Sequence, residues 1–288
     1  WLNPDIEYIE VDAEGEHWII TKEAHHNLKH QIKDLNIIRE VDPNDLIGGF
    51  VENPFTGDKL PIFPASFVSG SYGSGVVFSE PADAPADYIA LQDLKNNKEL
   101  IAKYHLEDII DDVNPINVCS VKGYGEIPAA EIIEKLGIKD QNDPKLHDAT
   151  NELYKVEHRK GIISEHIPEY GGKKVSVARE EFKADMIAKN MATIMYDFAE
   201  RPVICRCGED CVVKIMDNQW FLKYSDEEWT AKTHEVLNGE TIIPKEVKNN
   251  FEYYIDWLDD WACSRNVGLG TRLPWDKQWL IEPLTDST

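Results

Sequence analysis

Between Ser79 and Pro85 the chain changes the period of its apolar residues, which confines it to a fold in which strands come first and helices follow. Up to residue 80 the apolar residues fall in short β-favouring runs, such as Trp18-Ile19-Ile20-Thr21 and Ile37-Ile38. Asn53-Pro54-Phe55-Thr56-Gly57-Asp58 supplies a hairpin turn between apolar flanks. Gly73 to Ser79, GSGVVFS, reads as a buried strand entered through glycines. Several short strands with turn signals between them predict a barrel-like β core. From residue 85 to 104 the spacing is helical, through Ile89, Leu91, Leu94, Leu100 and Ile101. A second helix covers Ala129 to Leu136 and stops at Gly137. A third follows Asn142-Asp143-Pro144, where either acidic-type side chain can cap and the proline suits the first turn. A fourth is expected from Ala178 to Glu200, with Phe182, Met186, Ile187, Met191, Ile194 and Met195 on one core-facing stripe.

Arg201-Pro202 breaks that stripe, and a domain boundary is expected there, between residues 1–200 and 201–288. Beyond it, Val212 to Tyr224 reads as a hairpin around Asp217-Asn218, followed by helices over Asp226 to Leu237 and Pro244 to about Ala262. The fold class is therefore mixed α/β: a β-barrel-like domain with surrounding helices, then an α/β segment.

Composition narrows the function classes. The 288 residues hold 53 acidic against 30 basic side chains, a net charge of −23, which argues against any broad nucleic-acid-binding face but leaves room for a local basic patch. His158-Arg159-Lys160 and Lys173-Lys174 are short basic clusters whose simplest reading is solvated side chains beside turns. There is no run of 18 apolar residues and so no expected membrane span. Five cysteines, an odd number, make a disulfide framework improbable and point to the cytoplasm. Trp1-Leu2-Asn3-Pro4 reads like the middle of a protein.

Three constellations carry chemistry. Asp83 and Asp87, in PADAPAD, flank a strand-to-helix turn; spacing alone favours capping, with Asp83 at the cap and Asp87 in the first turn or capping a later start. The other reading is a carboxylate aimed into a cleft to neutralise a substrate cation. Cys205, Cys207 and Cys211 lie close enough in sequence to begin a zinc site, but the usual CxxC knuckle is absent, so free thiols and no bound metal are expected. The run from Trp261 to Thr288 combines Gly268, Gly270 and Pro274 with Arg265, Arg272, Trp275 and Asp276; glycines admit close backbone approach and arginines offer a planar fork for carboxylate or phosphate. Packing is the plain alternative for Pro274 and Trp275.

That run, WACSRNVGLGTRLPWDKQWLIEPLTDST, resembles the catalytic domain of leucyl-tRNA synthetases of the archaeal and eukaryotic type, which are class I ligases. Gly73 to Leu91, GSGVVFSEPADAPADYIAL, resembles the editing motif of the same family. Gln141-Asn142-Asp143 with Lys145-Leu146, and CVVKIMDNQWFLKY from Cys211 to Tyr224, resemble two further segments of it, so most of the chain is covered. The resemblance implies an editing domain over residues 1–200 and a return into a Rossmann-type catalytic domain over 201–288. It places Asp87 on the aspartate that holds the α-ammonium of a misattached amino acid. Asp83 falls on an acidic position of the eukaryotic form, where other members carry His. Gly75, Phe78 and Glu80 fall in the amino-acid pocket, where Phe78 and Glu80 depart from the usual Met or Thr, and Val. Ser79 is assigned to placing the attacking water. Arg265, Gly268, Gly270, Trp275, Asp276 and Asp286 are implied to border the aminoacyl-adenylate pocket.

The same resemblance implies leucine tRNA, leucine and misactivated amino acids as partners, ATP with magnesium for charging, and no cofactor for editing. The His-Ile-Gly-His and Lys-Met-Ser-Lys-Ser signatures are not in the sequence, so the fragment alone is expected to be inactive in aminoacylation. Two alternatives stay open at this stage: a non-catalytic tRNA-binding or interaction module, and a free-standing deacylase acting in trans. The run GLGTRLPWD speaks against the second, since a pure deacylase has no use for an adenylate-pocket segment.

Overall fold

A computed structural model describes residues 1–200 and 202–285. The chain divides into two compact units, Trp1–Lys214 and Ile215–Thr288. Arg201, where the sequence places the boundary, lies outside the described residues.

The first unit is built on a three-stranded antiparallel sheet. Strand β1 (Tyr8–Ala13) lies between β2 (Glu16–Thr21) and β3 (Leu35–Val41). Successive side chains of a strand face opposite ways, and β1 uses both faces. Ile9, Val11 and Ala13 enter one apolar cluster with Ile20, Ala24, Leu28 and Leu35. Tyr8 enters another with Val41, Phe63, Val68, Leu91, Leu94 and Leu106. Thr21 ends β2 and caps α1 (Lys22–Leu28) by accepting the Ala24 N–H. A short ribbon, β4 (Phe50–Glu52) with β5 (Lys59–Pro61), closes where expected: Asn53 Oδ1 accepts the Phe55 N–H at 2.9 Å and Gly57 takes φ +77°.

Helices then cover the sheet. α2 (Pro85–Asn96) sends Leu91 and Leu94 into the Tyr8 cluster, and Ile89 into a third cluster. α3 (Lys98–Lys103) follows at once, because Asn97 leaves helical geometry and its side chain caps the new helix through the Leu100 N–H; the expected single helix is two. After β6 (Cys119–Ser120), α4 (Pro128–Leu136) ends on left-handed Gly137 as expected. α5 (Leu146–Lys160) packs against it with Leu146, Ala149 and Leu153. β7 (Ile162–Ile163) pairs with β6, and α6 (Val175–Ala188) completes the set.

Three expectations are corrected. GSGVVFS is not a buried strand: it opens in a turn at Gly73–Gly75 and joins no ladder, Phe78 is 60% exposed, and main-chain bonds from Val77 to Trp1 and from Thr21 to Ser74 hold it. The strands do not close into a barrel; they form one small sheet and short ribbons, and Ile37 and Ile38 stand exposed on β3. The fourth helix ends at Ala188, not Glu200, because Lys189 loses helical geometry and Asn190 takes φ +55°; Met186 is core, whereas Met191 and Ile194 are exposed.

In the second unit, β8 (Phe221–Leu222) pairs with β9 (Trp261–Ala262), and β10 (Ser264–Arg265) pairs with β11 (Leu280–Ile281). The predicted hairpin around Asp217-Asn218 is therefore replaced by a pairing with residues about forty positions away, one of them Phe221 with Ala262. Between the strands lie α7 (Glu227–Gly239), capped by Asp226, and α8 (Val247–Trp257). Among the described residues neither helix buries a side chain, and every strand pair of this unit is antiparallel, so no Rossmann sheet is visible in it.

Candidate functional site

The start of α2 gathers the carboxylates. Pro85 takes the first helical position, where its missing N–H costs nothing, and Ala84 precedes it with no side-chain cap. Asp83 is thus not the cap. Its Oδ2 accepts the Val118 N–H at 2.9 Å and its Oδ1 accepts the Cys119 thiol at 3.5 Å, which ties the turn to β6. Burial raises its pKa, and those donors oppose the rise.

Asp87, in the first turn, folds back so that Oδ2 accepts the Glu80 N–H at 2.6 Å. The bond closes the loop from residue 80 to the helix. Desolvation raises the pKa of this buried carboxylate; the Glu80 N–H opposes the rise most, and hydrogen bonds from Ser79 and the Trp1 side chain also oppose it. The Ser79 hydroxyl and the Trp1 indole N–H are both buried, and Asp87 is the acceptor on which they act. One carboxylate acceptor and two side-chain donors therefore line the same spot.

The remaining expected residues of this group surround it. Glu80 is exposed as a residue, but desolvation of its carboxyl, then the charges of Asp83 and Asp87, raise its pKa. Phe78 offers an exposed apolar face. Gly75, at φ +73°, has a structural reason to be glycine: a Cβ there would overlap the Thr21 side chain, and its carbonyl accepts the Tyr8 hydroxyl at 2.8 Å. Sequence reasoning missed three neighbours, Trp1, Tyr154 and Glu157. Glu157 lies in α5 with its Oε1 buried and unpartnered, and desolvation, then Asp83 and Glu80, lift its pKa to about 8. The signal was present, because Leu146, Ala149 and Leu153 define a buried stripe and Glu157 continues it.

The second unit holds the other predicted group. Arg265 lies in β10 and donates from Nη2 to the Leu269 carbonyl at 3.1 Å, beside Gly268 at φ +116°; its Nε is buried without a partner. Gly270 faces the Ile281 carbonyl. Trp275 meets Trp220 edge-on at 5.8 Å, and the Trp220 indole donates to Asp276 Oδ2 at 2.9 Å. Asp286 lies outside the described residues. Cys205, Cys207 and Cys211 are free thiols in a tight loop closed by the Cys205 N–H to the Glu209 carbonyl. Among the described residues no helix is long and apolar enough to cross a membrane.

No protein-family model matches the chain. Curated relatives match it throughout. The leucine–tRNA ligase of Methanothermobacter thermautotrophicus is 60% identical over 288 residues, all of this chain and 31% of the relative. That of Methanopyrus kandleri is 48% identical over 289 residues, covering 30% of its length. The chain thus spans about three tenths of the length of the curated relatives it matches. Among solved structures, the P. falciparum cytosolic leucyl-tRNA synthetase editing domain has a TM-score of 0.59 at 21% identity, covering 65% of this chain and 70% of that one. The corresponding P. knowlesi domain has a TM-score of 0.59 at 20% identity, covering 66% and 76%. At such identities the likeness shows the fold alone.

Proposed function

This chain belongs to the leucine–tRNA ligase family as a segment of it, and from that premise we propose that its first unit carries a hydrolytic editing site, with Asp87 binding the α-ammonium of a misattached amino acid. The observation that carries the proposal is one buried carboxylate with the Ser79 hydroxyl and the Trp1 indole N–H beside it. An α-amino ester needs that complement: its ammonium donates to Asp87, while its oxygens accept from hydroxyl and indole. Desolvation already presses the Asp87 carboxylate toward neutrality, so a bound ammonium relieves a charge held at a cost. A charge-assisted contact of this kind contributes about 1.5–3 kcal/mol. With the ammonium fixed, a water oriented by Ser79 attacks the ester carbonyl. The bond from carbonyl carbon to ribose oxygen breaks, and the tRNA recovers its terminal hydroxyl as the amino acid leaves.

A second hydrolytic pocket is physically sensible for leucine, whose aliphatic analogues differ by a methylene or a branch; one methylene supplies only about 1–3 kcal/mol of discrimination. Phe78 and Glu80 would shape the entrance, and Asp83 would hold the turn. The whole ligase would charge leucine tRNA in the cytoplasm using ATP and magnesium, with Arg265, Gly268, Gly270, Trp275, Asp276 and Asp286 beside the adenylate pocket. The test is Asp87→Asn in the ligase carrying this segment. Hydrolysis of mischarged leucine tRNA should be lost while leucine charging continues; unchanged hydrolysis would refute the assignment.

A further inference from the structure

We propose that Asp83, Cys119 and Glu157 form a buried site for one divalent transition ion, zinc by its donor chemistry, which braces the start of α2, strand β6 and helix α5 against one another. The three donors come from distant parts of the sequence, so no local spacing motif announces them. A carboxylate oxygen of each acid and the Cys119 sulfur all lie within 4.8 Å of one another. All three residues are buried, at 3%, 5% and 7% exposure for Asp83, Cys119 and Glu157. The independent pointer is Glu157 Oε1, which is buried with no hydrogen-bond partner although it belongs to this cluster.

The Cys119–Asp83 pair fits coordination geometry. Ligands about 2.3 Å (sulfur) and about 2.1 Å (oxygen) from one ion at a tetrahedral angle stand about 3.6 Å apart. The Cys119 sulfur and Asp83 Oδ1 are 3.5 Å apart. The Val118 N–H holds the other oxygen of Asp83 at 2.9 Å, which orients the ligand as outer hydrogen bonds do in metal sites. A thiolate among carboxylates selects zinc over magnesium or calcium, which take oxygen alone. Three protein ligands leave a fourth position for water. The role is structural: one ion would join the start of α2, β6 and α5, of which the first two are already tied through Asp83.

The whole chain is purified after growth with zinc, and its metal is measured by elemental analysis beside cobalt substitution. The exposed Cys205–Cys207–Cys211 loop could also take zinc, so the deciding protein is the triple variant Cys205→Ser, Cys207→Ser, Cys211→Ser, which keeps all three buried ligands. One equivalent of zinc per chain is expected in it, resistant to dialysis, and the cobalt form should show a thiolate charge-transfer band. Adding Cys119→Ser should abolish the band, and adding Glu157→Gln should weaken binding at least tenfold. A triple variant with neither zinc nor a cobalt–thiolate band overturns the proposal, and this arm is decisive even where Cys119→Ser fails to fold. Full zinc content in a folded triple variant that also carries Glu157→Gln and Cys119→Ser overturns it equally.

Discussion

Substituting Asp87 in two ways separates its charge from its shape. Alanine removes the acceptor of the Glu80 N–H, a bond of 2.6 Å that closes the loop onto α2. Leaving a buried donor unsatisfied costs about 1–3 kcal/mol, and losing an acidic side chain from a first helical turn costs about 0.3–1 kcal/mol more. Against these stands the relief of a desolvated carboxylate whose pKa is raised. The net expectation for Asp87→Ala is a loss of about 1–3 kcal/mol. Asparagine keeps an oxygen where Oδ2 stood, so Asp87→Asn should remain within about 1 kcal/mol of the parent, since the retained hydrogen bond is the larger contribution. Urea unfolding of the chain followed by tryptophan fluorescence reads both, the midpoint moving in proportion to stability at constant slope. The reasoning fails if Asp87→Asn is as destabilised as Asp87→Ala, because the bond to Glu80 would then not be what Asp87 supplies to the fold.

Three further outcomes are expected. Gly75→Ala should lower stability by about 2 kcal/mol or more in the same unfolding assay, since φ +73° and an overlap with Thr21 act together; an unchanged midpoint would refute the packing account. In chelator-treated chain, Glu157 carries a folded pKa of about 8 against an ordinary 4.5, so the folded state holds the extra proton: the stability it contributes is complete below about pH 4.5 and is lost as pH rises through about 8, and Glu157→Gln should flatten that decline. Limited proteolysis should remove Ile215–Thr288 before it cuts Trp1–Lys214, because α7 and α8 bury no side chain among the described residues; equal resistance of the two units would count against this.

What the sequence made legible were elements whose signals are local. Gly137 stops α4 and Asn53 with Gly57 turns β4 into β5, and in each the deciding side chain or φ lies within a few residues of what it decides. The failures share the opposite property. GSGVVFS looked like a ladder strand, but its partners are single bonds from Trp1 and Thr21. The apolar spacing of α6 continued past Ala188, yet the chain turned at Asn190. The pairing of β8 skipped its neighbouring turn for a strand reached only after two helices. Mixed α/β architecture was readable from the change of period; barrel closure was not, because closure depends on which edges meet.

Asp83 and Asp87 show the same limit at the scale of a single site. In sequence they are equivalent, two aspartates in PADAPAD either side of a helix start. In the fold they diverge because of what reaches them. Asp83 receives a main-chain donor and a thiol from β6, 35 and 36 residues on, and no reading of spacing could have supplied those partners. Asp87 receives one main-chain donor from its own loop and has the Ser79 hydroxyl and the Trp1 indole N–H beside it. The first carboxylate is engaged by the protein on both oxygens and serves as an anchor. The second is met by its own loop and by side chains from Ser79 and Trp1. The proposed α-amino ester would bring an ammonium for that carboxylate and oxygens for those two donors.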